Sequence, residues 1–289
     1  MIKNSLNSII LLVLSGFTVP GFPLELPDNA SVPGGVVIVP IKSADKPEAY
    51  YNDNRVLITG EKNNWLAIVG IPLSAQPGNH KLRVKDKSRE FFYSFGITKK
   101  EYEIQYLTIE NKRQVNPTPD DMKRINQEKK LIQEAKAEWT ETDQIQLDFI
   151  IPAKGPYSSP FGLRRYFNNQ PRLPHSGLDI AAAEGSPIAA AADGRVVNTG
   201  DYFFNGKTVF IEHGQGIITM YCHMSSIEVK KDQNVRQGQP IGKVGKSGRA
   251  TGAHLHWSVI LNKAMVDPAL FVGGAEQNAE PVDEEDPAH

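Results

Sequence analysis

Short runs of β-branched and aromatic residues, each closed by turn-forming residues, recur along most of this 289-residue chain and leave little room for long helices. In the first half they read Val36-Val37-Ile38-Val39, Arg55-Val56-Leu57-Ile58, Trp65-Leu66-Ala67-Ile68-Val69, Lys81-Leu82-Arg83-Val84, Phe91-Phe92-Tyr93 and Tyr102-Glu103-Ile104. Asn52-Asp53-Asn54, Gly60, Pro77-Gly78-Asn79 and Asp86 separate them. Strands at this spacing predict a mainly β chain that opens with a small β-sandwich over residues 22–109. That region holds one histidine, His80, and no cluster of ligands, so it reads as an accessory or spacer domain. The 24 glycines and 20 prolines follow no repeat, which fits many turns and excludes a collagen-like chain.

The length exceeds that of a usual single domain, and a helical linker is predicted over 110–143. Thr118 can cap, Pro119 suits the first helical position, and Asp121 completes a capping box. Met122, Ile125, Ile132, Ala135 and Trp139 recur on one face, which predicts a helix from Pro119 to about Glu138 that packs by this stripe. A linker of this kind could let the accessory domain partly cover whatever site the second domain carries.

The ends have a different character. Lys3 precedes an apolar run from Ile9 to Leu14 and on through Phe17 to Val19, interrupted by Pro20 and Gly21. The run is too short for the roughly 20 apolar residues of a membrane span and suits a signal peptide over residues 1–21. Export follows from that reading, to the periplasm or beyond, with no membrane span left after processing. From Gly273 to His289 there are six acidic residues and no Lys or Arg, a composition expected to stay disordered. Net charge is −1, so the chain before this tail is mildly basic, and without a basic stripe interleaved with aromatics nucleic acid is not an expected partner.

Chemistry concentrates in residues 144–272. In Ala253-His254-Leu255-His256-Trp257-Ser258-Val259 apolar and polar residues alternate, the period of a half-buried strand, so both histidines share one face roughly 6.5 Å apart. Spacing alone leaves metal ligation and acid/base work open for the pair. His175-Ser176-Gly177-Leu178-Asp179 adds an imidazole and a carboxylate, which converge only if the segment bends, and Gly177 permits a bend. Two histidines and one aspartate would fill the three-ligand quota of a catalytic zinc. A β-hairpin is predicted around Gly214-Gln215-Gly216, with Tyr221 and His223 on one face of its second strand and Cys222 on the other. Adjacent residues make a poor Cys/His pair, so Cys222 reads as a small buried apolar residue and His213 as a structural hydrogen-bonding group. No His-Glu-x-x-His helix occurs.

These segments resemble the motifs of the lysostaphin/LytM-type peptidoglycan metallopeptidases. Ser159-Pro160-Phe161-Gly162-x-Arg164, the His175 to Asp179 segment, Gly185-x-Pro187-Ile188, Asp193-Gly194-x-Val196, His213-Gly214, Tyr221-x-His223-Met224, Gly238-Gln239-x-Ile241-Gly242 and Gly252-x-His254-Leu255-His256 occur in family order over Gly155 to Val272. The resemblance implies that His175, Asp179 and His256 hold one Zn2+ per chain, and that His223 and His254 act on the water and on the tetrahedral intermediate. It also implies a C-terminal all-β metallopeptidase domain with a groove over its sheet. Arg164 is a candidate for a substrate carboxylate, with a structural ion pair as the other reading. The N-terminal half resembles the accessory domain of Gram-negative members. The expected activity is therefore a D,D-endopeptidase acting on peptidoglycan cross-links. The alternative is a catalytically silent wall-binding factor that activates amidases, as in relatives that keep the fold and lose the ligands.

Overall fold

The computed structural model describes residues 25–87 and 89–273, so the expected leader and almost all of the acidic tail lie outside the described residues. The first six strands are β1 (Val36–Ile41), β2 (Glu48–Tyr51), β3 (Asn54–Glu61), β4 (Asn64–Gly70), β5 (Gly78–Asp86) and β6 (Arg89–Ile97). They form one antiparallel path in the order β1-β4-β3-β2-β5-β6, which closes over a core of its own. In β1, Val37, Val39 and Ile41 enter that core, whereas Val36 enters a second, larger one. Leu57 of β3 and Ile68 of β4 do the same. This two-sided burial explains why β1 reads as a continuous apolar run and not as an alternation.

Then come β7 (Ile104–Leu107), α1 (Lys112–Val115), α2 (Pro119–Ala135), β8 (Tyr157–Ser159), β9 (Arg164–Phe167), β10 (Gln170–Pro171) and β11 (Leu178–Ala181). After these the strands are β12 (Pro187–Ala189), β13 (Gly194–Tyr202), β14 (Gly206–Glu212), β15 (Ile218–Met224), β16 (Ser226–Ile227), β17 (Asn234–Val235), β18 (Pro240–Lys243), β19 (His254–Leu261) and β20 (Ala264–Val266). The central sheet runs β17-β13-β14-β15-β19-β11-β8, with antiparallel neighbours throughout. Leu255, Trp257, Val259 and Leu261 of β19 face the larger core. On the opposite face Ile260 packs with Phe210, Met220, Cys222 and helix residue Ala135.

The capping box of α2 is present, with Thr118 and Asp121 bonded reciprocally and Pro119 in the first turn. The helix ends at Ala135, one turn earlier than expected, and Met122 is exposed. Trp139 lies beyond the helix, where Arg55 of the accessory sheet stands over its ring. β7, which falls within residues 22–109, pairs in parallel with β9, which lies among the strands of residues 144–272.

The two domains are joined by more than a linker. Gln215, at the β14/β15 turn, accepts from Ile58 N–H and donates to Ile58 C=O, both at 3.0 Å, and also donates to Thr142 C=O at 2.8 Å. Asn262 makes the same pair of bonds to Gly70, accepting at 2.7 Å and donating at 2.9 Å. Both side chains are buried. Each amide supplies the donor and acceptor that a neighbouring strand would have offered to β3 or β4. Removing one strands buried backbone groups, at about 1–3 kcal/mol each. Gln215→Ala is therefore expected to lower the unfolding free energy of the whole chain by on the order of 2–4 kcal/mol. Denaturant titration would read this, and an unchanged midpoint would show that water replaces the amide at no cost.

Candidate metal centre

Antiparallel pairing of β11 with β19 places Asp179 opposite His256, and the loop before β11 brings in His175. His175 Nε2 lies 2.9 Å from Asp179 Oδ1 and 2.9 Å from His256 Nδ1, and the last two atoms are 2.8 Å apart. All three residues are buried. Gly177 matters here for room. A Cβ on it would meet Trp257 O at 2.5 Å, Ser258 Oγ at 2.6 Å and His256 Cε1 at 2.7 Å, so the chain passes too close over β19 for any side chain.

The hydrogen bonds show what these atoms can do. His175 Nδ1 is 2.7 Å from Pro160 O, and a carbonyl only accepts, so the proton is on Nδ1 and Nε2 is a bare lone pair. Burial pushes the His175 pKa down to about 4, which keeps the ring neutral. Asp179 Oδ2 accepts from the Arg165 guanidinium at 2.9 Å, which holds the carboxyl ionised and leaves Oδ1 with lone pairs only. Two acceptors, His175 Nε2 and Asp179 Oδ1, thus sit 2.9 Å apart with no proton between them. His256 Nε2 is 3.0 Å from Ser258 Oγ, which can accept its N–H and leave Nδ1 as a third donor atom. An imidazole, a carboxylate and a second imidazole converging on one point are the donor set of a divalent transition metal, so these residues fit zinc.

His223 and His254 stand beside this triad, with ring centroids 4.8 Å apart. His254 Nδ1 faces Gly252 O at 2.9 Å and His223 Nδ1 faces Ser247 O at 2.8 Å. The same reasoning leaves both Nε2 atoms bare, and that of His254 is 3.9 Å from Asp179 Oδ1. Burial first, and the crowding of the His254 and His256 imidazoles second, push the His223 pKa down to about 3, which keeps its ring neutral.

His223 arrives here by a route that alternation did not foresee. In the pairing of β14 with β15, Lys207 matches Met224 and Val209 matches Tyr221, so Cys222 and His223 together oppose Thr208 alone. This is a β-bulge, and His223 within it has φ 62°. The bulge turns His223 away from Tyr221, with which it was expected to share a face, and toward His254 and His256. Cys222 is buried in the apolar cluster under α2, and burial raises its thiol pKa to about 12, so it is a packing residue.

Arg164 lies outside the cluster: its side chain is exposed and its backbone N–H donates to Glu103 O. Its neighbour Arg165 is the one that reaches the site, donating to Asp179 Oδ2 at 2.9 Å. Nothing in the local sequence distinguishes the two, because the choice depends on which face of β9 turns inward. Ser258 and the carbonyls of Pro160, Ser247 and Gly252 were likewise not singled out, and for the carbonyls no side-chain identity could signal their role.

Among solved structures, one described as a peptidase M23 from Pseudomonas aeruginosa aligns at 43% identity over 85% of this chain and 96% of that chain, with a TM-score of 0.72. The chain belongs to peptidase family M23. Within this M23 protein, residues 173–268 match peptidase family M23 and residues 29–100 match the peptidase family M23 N-terminal domain. Curated relatives include the peptidoglycan DD-endopeptidase ShyA of Vibrio cholerae, 42% identical over 39% of this chain and 26% of its own length. The DD-carboxypeptidase/endopeptidase Mpg of Neisseria meningitidis is 40% identical over 38% of this chain and 26% of its own length. The M23 chain thus matches about a quarter of the length of each of these curated relatives.

His213 shows the structural use of a buried imidazole in the same domain. Its Nδ1 donates to Asp193 O and its Nε2 faces Thr219 Oγ1, both at 2.7 Å, and burial pushes its pKa down to about 4. A folded-state pKa below the ordinary imidazole value of 6.5 means that the unfolded chain takes up the proton first. Stability from this residue is present above pH 6.5 and declines as pH falls toward 4. His213→Gln should be less stable at pH 7 and should lose stability less steeply between these limits, by up to about 1.4 kcal/mol per pH unit for one proton. Urea titrations across the range would test it, and parallel slopes would show that His213 is not held neutral.

Proposed function

We propose that this M23 protein is a zinc-dependent endopeptidase that cuts D,D cross-links of peptidoglycan outside the cytoplasmic membrane. The observation that carries the reading is the pair of bare acceptors, His175 Nε2 and Asp179 Oδ1, held 2.9 Å apart with His256 Nδ1 completing the set. Such an arrangement is repulsive without a cation, and neutral imidazoles with a carboxylate select a borderline metal over calcium or magnesium. A zinc ion held by these three atoms would supply Lewis-acid polarisation and a water of lowered pKa at its open position.

His254 and His223 supply the proton handling. Each has its Nδ1 proton committed to a backbone carbonyl, so each offers a bare Nε2 to the space beside the triad. As the water oxygen attacks the peptide carbonyl carbon, its proton passes to one Nε2. The imidazolium so formed stabilises the charge on the carbonyl oxygen. It then returns the proton to the leaving nitrogen as the C–N bond breaks. The second histidine, 4.8 Å away ring to ring, can take the other side of the scissile bond.

The substrate class rests on the relatives, one a peptidoglycan DD-endopeptidase and the other a DD-carboxypeptidase/endopeptidase. Among the described residues no helix is long and apolar enough to cross a membrane. Retention of the full donor set and of both histidines favours catalysis over a silent wall-binding role. Digestion of purified sacculi, with the released muropeptides identified by mass, tests the bond cut. Monomers ending in the D-alanine of a severed cross-link support the reading, and intact dimers with an active, zinc-loaded protein would overturn the substrate assignment.

About one zinc per chain is expected by metal analysis, and His175→Ala and Asp179→Ala should each abolish it. His254→Ala should keep the metal and lose turnover by roughly 10²–10⁴-fold, the usual worth of a positioned acid/base group. Stoichiometric zinc in both ligand variants would refute the ligand assignment, and equal metal loss in His254→Ala and His256→Ala would refute the division of roles.

A further inference from the structure

The two oxygens of Asp179 face different partners. Oδ1 points at His175 Nε2 and His256 Nδ1, whereas Oδ2 accepts from Arg165 Nη2 at 2.9 Å. Arg165 Nε donates in turn to Gln105 Oε1 at 3.1 Å, and Gln105 Nε2 donates to Ser159 Oγ at 3.2 Å. Ser159 is the register partner of Asp179 across β8 and β11, so the path closes on the residue where it began. Gln105 and Arg165 are themselves partners in the parallel pair β7/β9.

We infer that Arg165 and Gln105 are positioning residues that fix the rotation of the Asp179 carboxylate, which makes strand β7, N-terminal to the catalytic sheet, a working part of the metal centre. The inference rests on the metal-binding reading above and adds to it the device that orients one ligand. An aspartate turns easily about its last torsion, since that torsion is broad and nearly two-fold. A donor that must lie within 3 Å of two imidazole nitrogens cannot tolerate that freedom. Arg165 pins the far oxygen, and Gln105 pins the guanidinium, which would otherwise swing on a long flexible side chain. The Arg165 and Asp179 side chains are 17% and 8% exposed, so water screens the pair little.

The sign of the effect is open to test because two consequences of Arg165 oppose each other. Its positive charge repels a metal cation, whereas its hydrogen bond holds the ligand ready. If orientation dominates, removing Arg165 weakens zinc binding; if charge dominates, removal tightens it. Groups that orient a metal ligand through hydrogen bonds are typically worth 10–100-fold in metal affinity.

The experiment compares the full chain with Arg165→Gln, Arg165→Lys, Gln105→Ala and Gln105→Glu. Zinc dissociation constants are measured by competition with a chromophoric chelator, and the cobalt(II)-substituted proteins are compared by visible spectroscopy. Thermal unfolding of each metal-free protein reports folding separately. Arg165→Gln is expected to raise the dissociation constant about 10–100-fold and to change the cobalt spectrum. Gln105→Ala should shift both readouts in the same direction by less, and Gln105→Glu, which keeps an acceptor for Arg165 Nε, should restore most of the wild-type affinity. Arg165→Lys should fall between wild type and Arg165→Gln, because it keeps the charge and loses the fork. A well-folded Arg165→Gln with unchanged or tighter zinc binding would overturn the inference, and if that variant does not fold, unchanged affinity in both Gln105→Ala and Arg165→Lys would do so. Failure of the wild-type chain to bind zinc would instead overturn the metal reading beneath it.

Discussion

Two lone pairs that cannot share a proton face each other at the centre of this fold, on His175 Nε2 and Asp179 Oδ1. Keeping them together requires that each be unable to turn away. The Pro160 carbonyl holds the far nitrogen of one, and the pairing of β11 with β19 holds the backbone of the other. The glycine between them in sequence lets that stretch cross β19 at contact distance. Much of the surrounding architecture can be understood as what it takes to hold unfavourable neighbours in place, as the proposed cation site requires.

The accessory sheet takes part in this at a distance. It meets the second domain around Leu261 and Asn262, about five residues along β19 from His256, which is roughly 17 Å. Those two contacts therefore lie well away from the triad. The segment that does reach the triad's surroundings is the chain leaving that sheet, through Gln105 and through Tyr102, whose ring packs against Gly162 in the turn that carries Pro160.

What was legible in the sequence follows from which physical rule dominated each element. The alternation in β19 reports burial on opposite faces, and both the strand and the shared face of His254 and His256 followed from it. The capping box of α2 is a local bond pattern and was equally readable, although the end of the helix was not, because Lys136 to Trp139 are apolar enough in part to continue the stripe. His223 shows the limit. A single extra residue opposite Thr208 reverses the direction of a side chain, and no composition marks where a strand will bulge. Arg164 and Arg165 show another, since two identical neighbours on a strand differ only in which face is inside. The choice of His256 over His254 as the ligand candidate came from family resemblance and not from spacing. The pairing that sets His256 against Asp179 is long-range and invisible to any local rule.

Val36, Leu57 and Ile68 belong by chain position to the accessory sheet and by packing to the same apolar cluster as Leu255 and Trp257, the residues that alternate with the site histidines on β19. A boundary drawn between the two lobes would therefore cut through a continuous interior. Heat or denaturant should meet one cooperative unit here, with a single transition in which calorimetric and van't Hoff enthalpies agree. The amino-terminal sheet is then less a module that can be exchanged between proteins than the near wall of the same interior, and damage to it should reach the candidate metal ligands through lost packing.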